Sequence, residues 1–325
     1  MKDRGWLMSL KIWLGLFFCN LLWSLNPTIA KQVIEEIGPY YTAWFKYSVA
    51  LAAYLGVMGW ICFLDFKKKS KITPVFMPMK VNKDLITVAC IGAATCFLSP
   101  MTQMLGLKNS SAVNNVILVA FEPIFTVVFG WVIFRESLSQ WHFLSFFLAT
   151  IGFLFLSHVF GNGFFIDPSI SKTFGYGDCA LLVAVAGESL YSVLARDLVK
   201  TYSGSVIFGT AVLVGVILLS LAVLPWQGLP PLGRVSWVGV GAIVWLGVMG
   251  TAIPYLYWIY ALSQSVSIGS VVLSLFLQPL LGAVAAVVFL NEPLGLHQWV
   301  GGFMILLAVS IQIMAERSGC RYLEE

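Results

Sequence analysis

Three ionisable side chains lie well inside long apolar stretches of this sequence: Lys46, Glu122 and Glu188. If those stretches cross a bilayer, each charge costs at least about 2.5–3.5 kcal/mol at its centre, so each side chain should face protein or water. A buried lysine can hold an anionic group such as a carboxylate or a phosphate, and a buried glutamate can bind and release a proton. These residue types favour a site for a charged solute.

Each of the three charges has a structural alternative. The long stem of Lys46 could reach the outer headgroups instead of a cavity, and the two interpretations have equal support. Glu188 could be a hydrogen-bonded structural residue, but a cavity role and proton transfer are favoured. Glu122 precedes Pro123, which frees a backbone carbonyl and bends a helix, so a structural role is favoured there.

Other polar and aromatic residues accompany these charges. Tyr255 and Trp258 lie one helical turn apart and could stack on a solute. The candidates for substrate binding are Asn20, Asn26, Lys46, Glu188, Tyr255, Trp258 and Gln278, and those for a structural or gating role are Pro100, Glu122, Pro123, Pro254 and Pro279. We expect no catalytic residue, no metal and no cofactor.

The elements that must position these residues are membrane helices. The chain is 59% hydrophobic and 10% charged, against roughly 25% charged in a soluble domain. The apolar segments are about 20 residues long, which suits helices and not barrel strands. The predicted spans are 12–30, 39–64, 85–107, 110–134, 141–159, 177–197, 205–225, 235–258, 268–290 and 297–315. We expect the first span to be a retained helix and not a signal peptide.

The positive charges predict the orientation of these spans. With the N-terminus inside, fourteen of the nineteen Lys and Arg residues lie on the inner side and four lie outside, while Lys46 lies within a span. This bias predicts that both termini are cytoplasmic. The Lys-rich segment 66–83 is interpreted as an anchor near anionic lipid, and no nucleic-acid partner is expected.

An internal repeat divides the chain into 12–160 and 175–315. Glu122-Pro123 and Gln278-Pro279 are separated by 156 positions, as are Glu136 and Glu292, and Pro100 pairs with Pro254 at a nearly equal offset. Aligning Trp23 with Tyr191 places Asn20 opposite Glu188. Because each half has five spans, the second half enters the bilayer from the opposite face. The fold class is therefore an all-α membrane protein of ten transmembrane helices in two inverted five-helix repeats.

Three stretches resemble the EamA-type members of the drug/metabolite transporter superfamily. They are 21–27 (LLWSLNP), with Ser24 where the family usually has Gly, the segment 122–136, and its second copy 277–294. The resemblance covers about 12 to 315. Lys46 stands where family members commonly carry an arginine. The resemblance implies a central cavity lined mainly by helices 1–4 and 6–9, with helices 5 and 10 peripheral and near a possible homodimer contact.

These observations predict a secondary transporter in the cell (inner) membrane, with a small-molecule solute and the lipid bilayer as its partners. It would move an amino acid or another metabolite by alternating access, either coupled to protons or by exchange of one solute for another. An intramembrane enzyme and a channel-like pore are the alternatives. The three histidines form no metal-ligand pattern with acidic residues, no Walker-type phosphate loop is present, and no repeated filter is visible.

Overall fold

Helices make up all the regular structure that the computed structural model describes, which covers residues 2–67, 83–110, 115, 118–135, 140–156, 175–230, 233, 235–264, 268–282 and 296–322. Ten helices follow one another within those residues. In chain order they are α1 (Lys2–Ile37), α2 (Pro39–Lys67), α3 (Lys83–Asn109), α4 (Glu122–Phe134), α5 (Gln140–Leu156), α6 (Tyr176–Leu198), α7 (Gly204–Gln227), α8 (Trp237–Gln264), α9 (268–282) and α10 (Leu296–Tyr322).

Length and composition make six of these helices, α1, α2, α3, α6, α7 and α8, able to cross a membrane. The described parts of α4, α5, α9 and α10 contain shorter apolar segments. Every one of the ten ranges predicted from hydropathy overlaps one of these helices. The Lys-rich segment after α2 and both members of the repeated pair Glu136 and Glu292 lie outside the described residues.

The interior is divided between two apolar clusters. The larger joins α1, α2, α3, α6, α7, α8 and part of α9, with fully buried side chains such as Tyr47, Phe208 and Ile259. The smaller contains residues of α5, α9 and α10, including Phe153, Phe276 and Ile305. Helices α5 and α10 pack against each other, and Trp13 of α1 packs against the cluster that they share with α9.

Two helices, α3 and α8, contain wide π-helical turns. These turns cover Gly92–Leu98 and Val248–Ala252, and each ends two residues before a proline, Pro100 or Pro254. A proline has no N–H for the intrahelical ladder, so neighbouring turns must rearrange their hydrogen bonds. Carbonyls in both turns accept from other helices: Tyr47 Oη donates to the carbonyl oxygen of Thr95 at 3.1 Å, and Asn26 Nδ2 donates to that of Gly250 at 3.0 Å.

Contacts between helix ends define which helices run in the same direction. At the end of α1, Glu36 accepts from the backbone N–H and the hydroxyl of Ser236, the residue before α8. Near the other end of both helices, Tyr257 Oη donates to the carbonyl oxygen of Lys11 at 2.9 Å. Helices α1 and α8 are therefore antiparallel.

The same kind of contact joins α1, α3 and α6. Lys31 Nζ, near the end of α1, donates to the carbonyl oxygen of Ser110 at 3.2 Å, just after α3. Ser110 Oγ in turn donates to Asp178 Oδ1 in the first turn of α6 at 2.5 Å. Helices α1 and α3 consequently run in one direction, and α6 runs in the opposite one.

Candidate functional site

A polar cavity lies among helices of both predicted halves. Its lining comes from α1, α2, α3, α4, α6, α8 and α9 and consists of Trp23, Ser24, Asn26, Pro27, Lys46, Gln103, Asn115, Val119, Glu122, Val185, Glu188, Tyr191, Ser192, Tyr255, Trp258 and Gln278. The cavity has a volume of about 50 Å³, and one buried water needs roughly 10–15 Å³. The cavity therefore suits a few waters or one small polar solute.

Glu188 is held in the cavity by two hydroxyl groups from other helices. Ser99 Oγ of α3 donates to Glu188 Oε1 at 3.0 Å, and Tyr255 Oη of α8 donates to Oε2 at 2.8 Å. The preceding residue, Gly187, allows this approach, because a Cβ there would lie 2.9 Å from the carbonyl oxygen of Ala94. The carboxyl group thus has a fixed position between α3, α6 and α8.

Within the part of the chain that the structure describes, the buried side chain of Lys46 has no direct partner. Its side chain is 4% exposed, and it forms neither a hydrogen bond nor an ion pair with any described residue. It does interact electrostatically with Glu188, and its Nζ lies 5.5 Å from the ring centroid of Tyr47. Of the two interpretations of Lys46, its burial in the lining agrees with the cavity and not with the outer headgroups.

Glu122 lines the same cavity and lies close enough to Glu188 for the two carboxyl groups to repel each other when both are ionised. Its own carbonyl oxygen accepts from Ser189 Oγ at 3.2 Å and from Thr126 Oγ1 at 2.9 Å. These bonds tie the start of α4 to α6 beside Glu188. The backbone of Glu122 therefore has a packing role while its side chain belongs to the cavity.

Aromatic rings form one wall of the cavity. The rings of Trp23 and Tyr255 meet edge to face at 5.6 Å between centroids, and those of Tyr191 and Tyr255 at 5.1 Å. Trp258 contacts Trp23 at 5.5 Å, and its indole Nε1 donates to Ser192 Oγ at 2.8 Å. Such edge-to-face contacts are a favoured arrangement of aromatic rings and contribute to the packing of this wall.

Several polar atoms of the lining have no partner within the described residues. They are Asn26 Oδ1, both side-chain polar atoms of Asn115, and the hydroxyl of Tyr191. A buried polar group without a hydrogen bond costs about 1–3 kcal/mol, so such groups are uncommon in apolar cores. Their concentration in one cavity indicates a surface that receives polar groups.

The structure brings six of the seven substrate-binding candidates into this lining: Asn26, Lys46, Glu188, Tyr255, Trp258 and Gln278. The seventh, Asn20, is fully buried elsewhere, where its Nδ2 donates to the carbonyl oxygen of Leu16 at 2.7 Å and to Ser274 Oγ at 3.2 Å. Of the gating candidates, only Glu122 is in the lining; Pro100, Pro123, Pro254 and Pro279 are not.

Sequence reasoning did not select Trp23, Tyr191, Gln103 or Asn115 as binding residues, although all four line the cavity. A signal existed for two of them, because the repeat alignment pairs Trp23 with Tyr191. Both flank Tyr255. In the described part of the chain, no three His, Cys, Asp or Glu side chains are grouped so that they could hold a metal ion.

Long apolar helices around a polar cavity define a multi-pass integral membrane protein of the transporter class. The chain belongs to the EamA-like transporter family, which matches residues 10–158 and 175–314. The family places it within the drug/metabolite transporter superfamily, as the sequence resemblance predicted.

Relatives of similar length bear transporter names. An uncharacterized transporter from Archaeoglobus fulgidus is 24% identical over 94% of this chain and 99% of its own length. The uncharacterized transporter YyaM from Bacillus subtilis is 23% identical, with 92% of each chain covered. A crystal structure of a protein has the same fold with a TM-score of 0.69, covering 95% of this chain and 98% of that one at 17% identity. Family and names indicate a transporter and not an enzyme.

Proposed function

We propose that this protein is a secondary transporter that carries a small organic solute, such as an amino acid or another metabolite, by alternating access. The observation that carries this proposal is the cavity, since its lining joins Asn26 and Lys46 of the first half to Glu188 and Tyr255 of the second. A site between two halves can be exposed to either side of the membrane when the halves rock against each other.

Inverted repeats and ten spans belong to this proposal. Helices α1 and α3 run together while α6 and α8, their partners in the repeat, run in the opposite direction, as the contacts of Glu36 and Ser110 require. The two family matches, at 10–158 and 175–314, lie close to the proposed halves 12–160 and 175–315. With the charge bias, these features support two inverted five-helix repeats with both termini in the cytoplasm.

Two other features support mirrored halves. The wide turns at Gly92–Leu98 and Val248–Ala252 occupy equivalent positions, each followed by its proline. The described lining includes residues from every helix of the resemblance-based set 1–4 and 6–9 except α7, and none from α5 or α10. Helices α5 and α10 remain the proposed location of a homodimer contact.

Transport of a solute is tested with the purified full chain in proteoliposomes. We expect saturable uptake that is stimulated when the same unlabelled solute is inside the vesicle, because a carrier returns faster when it is loaded. Uptake that rises linearly with concentration and shows no such stimulation would indicate a channel-like pore. Conversion of the solute into a new covalent product would indicate an enzyme.

Coupling to protons is proposed to involve Glu188. The groups that face it are Lys46, Tyr47, Cys96, Glu122 and Tyr255. In Glu188→Gln the carboxamide keeps the size but cannot ionise, so proton-driven uptake should lose its pH dependence while exchange of solute persists. An unchanged pH profile in this variant would leave exchange as the mode of transport and contradict coupling at Glu188.

A further inference from the structure

The carboxyl group of Glu188 connects the two helices that contain wide turns. Ser99 Oγ donates to its Oε1 at 3.0 Å, and Tyr255 Oη donates to its Oε2 at 2.8 Å. Ser99 directly follows the wide turn of α3 and bonds back to it, because its backbone N–H donates to the carbonyl oxygen of Ala94. Tyr255 lies three residues after the wide turn of α8. One side chain of α6 therefore bonds α3 and α8 where their irregular segments end.

The two hydroxyl donors occupy equivalent positions in the internal repeat. The wide turns begin 156 positions apart, which is the spacing of the repeat, and Ser99 and Tyr255 are separated by the same number. Their acceptor has no acidic counterpart, because the repeat pairs Glu188 with Asn20. Each predicted half thus contributes one hydroxyl from the same position, and both hydroxyls bond a single carboxyl group.

A second contact fastens the wide turn of α3 beside Glu188. Thr95 Oγ1 donates to the carbonyl oxygen of Gly187 at 3.1 Å, and the carbonyl oxygen of Thr95 accepts from Tyr47 Oη. A displacement of this turn therefore moves the backbone next to Glu188 together with its carboxyl group. Ser99 and Thr95 are fully buried and lie outside the cavity lining. Ser99 consequently acts on the cavity through Glu188.

We infer that Ser99 is a positioning residue, and that Ser99, Glu188 and Tyr255 together link the wide turns of α3 and α8, so that the two helices rearrange as one unit. Hydrogen bonds to a carboxylate are stronger than those between neutral groups, and buried networks of them are cooperative. A carboxyl group held from two sides loses its fixed position when either hydroxyl is removed, and the remaining bond then restrains the opposite turn less. The link exists in the protein without a solute, so its test is independent of the carrier function.

Amide hydrogen exchange of the purified full chain, followed in peptides that cover each wide turn, tests this link. In Ser99→Ala, exchange should become faster by about fivefold or more in Val248–Ala252, the turn of the other helix, as well as in the turn of α3, because a bond to a charged group is lost. Tyr255→Phe should have the mirror effect on Gly92–Leu98. Either variant alone provides the test if the other does not fold.

Two other hydroxyl deletions in the same helices are the matched controls. Thr102 of α3 and Tyr257 of α8 donate to backbone carbonyl oxygens instead of to Glu188. Thr102→Ala should therefore leave exchange in the turn of α8 unchanged, and Tyr257→Phe should leave exchange in the turn of α3 unchanged. Ser99→Thr keeps the hydroxyl donor and should retain the exchange rates of the unsubstituted protein in both turns.

A double-mutant cycle shows whether the effect passes through Glu188. Glu188→Ala should accelerate exchange in both turns, and adding Ser99→Ala to it should cause no further change in the turn of α8. Full additivity of the two substitutions there would overturn the link, because the effect would reach α8 by another route. Faster exchange confined to the turn beside each substitution would also overturn it, and the same loss of protection in Ser99→Thr as in Ser99→Ala would assign the effect to packing.

Discussion

The Lys46 ammonium is 4% exposed and has no hydrogen-bond or ion-pair partner among the described residues, which by itself is unfavourable for folding. A buried charge without its partner typically lowers the free energy of unfolding by several kcal/mol, so packing of the surrounding helices must compensate for it. Electrostatic attraction by Glu188 recovers part of that cost without a direct contact. Within the described residues, the ammonium is therefore not held in a tight Lys46–Glu188 ion pair.

Asn20 and Asn26 lie six positions apart in α1, but their side-chain amides have different surroundings. The Nδ2 group of Asn20 donates to the carbonyl oxygen of Leu16 and to Ser274 Oγ, and Asn20 lies outside the cavity lining. We predict that Asn20→Ala lowers the free energy of unfolding by about 1–3 kcal/mol, because Ser274 loses a buried partner, and leaves the KM of transport unchanged.

Asn26 provides the matched comparison. Its Nδ2 bonds the carbonyl oxygen of Gly250 at 3.0 Å, but its Oδ1 has no partner among the described residues and lies in the cavity lining. Asn26→Ala should raise KM, since an acceptor for the solute is lost. Thermal unfolding and transport kinetics of both variants test these two predictions. A large increase of KM in Asn20→Ala would indicate that Asn20 belongs to the binding site.

At the scale of helices, Pro100 and Pro254 each follow a wide turn and lie outside the cavity lining. The turn Val248–Ala252 is anchored at Asn26 and leads into Pro254, so bending there changes the distance between α1 and α8. The sequence could pair Pro100 with Pro254 by their spacing. It could not show the π-helical turns, because they depend on which neighbouring side chain donates to each displaced carbonyl oxygen.

Replacing these prolines should change the rate of transport more than binding. In Pro254→Ala a restored N–H allows a regular helix, which should reduce turnover about tenfold or more while KM stays within about twofold. Pro225→Ala is the control, because Pro225 lies exposed near the end of α7 with no wide turn before it. Initial rates of exchange separate the two parameters, and a raised KM with normal turnover would assign Pro254 to binding instead.

Close packing of α7 on α3 depends on a glycine. A Cβ at Gly215 would lie 2.8 Å from the carbonyl oxygen of Cys96, inside the wide turn of α3. We predict that Gly215→Ala lowers the free energy of unfolding by about 1–3 kcal/mol through overpacking. Gly56→Ala, where no atom lies within 4 Å of the added Cβ, should be neutral or slightly stabilising. Thermal unfolding in detergent compares them, and equal melting temperatures would contradict the predicted close contact.

At the scale of the whole molecule, hydropathy and charge were sufficient for the positions of the helices. Apolar runs of membrane length leave few alternatives once the backbone must satisfy its own hydrogen bonds. The family was also predictable, because the Pro and Glu positions recur at a fixed offset. The rotation of each helix about its own axis could not be predicted from the sequence. Asn20 and Asn26 both lie in α1, and only their contacts with Ser274 and Gly250 show which of them faces the cavity.

The orientation of the bundle in the membrane is a prediction for the entire chain, and one helix can test it. Lys200 precedes α7 and Leu229 follows it, both exposed, so they lie at opposite ends of a single span. The charge bias places Lys200 in the cytoplasm and Leu229 outside. In a cysteine-free variant that retains transport, Leu229→Cys should react with an impermeant maleimide in intact cells, whereas Lys200→Cys should react only after lysis.

The two positions act as controls for each other because their labelling must exchange when the orientation is reversed. Reaction of Lys200→Cys alone in intact cells would place both termini outside, since α7 is an inner-to-outer span only when the N-terminus is cytoplasmic. Reaction at both positions would mean that α7 does not cross the bilayer, which would contradict five spans in the second half. Labelling of Leu229→Cys alone is the outcome that an inverted second half with a cytoplasmic C-terminus requires.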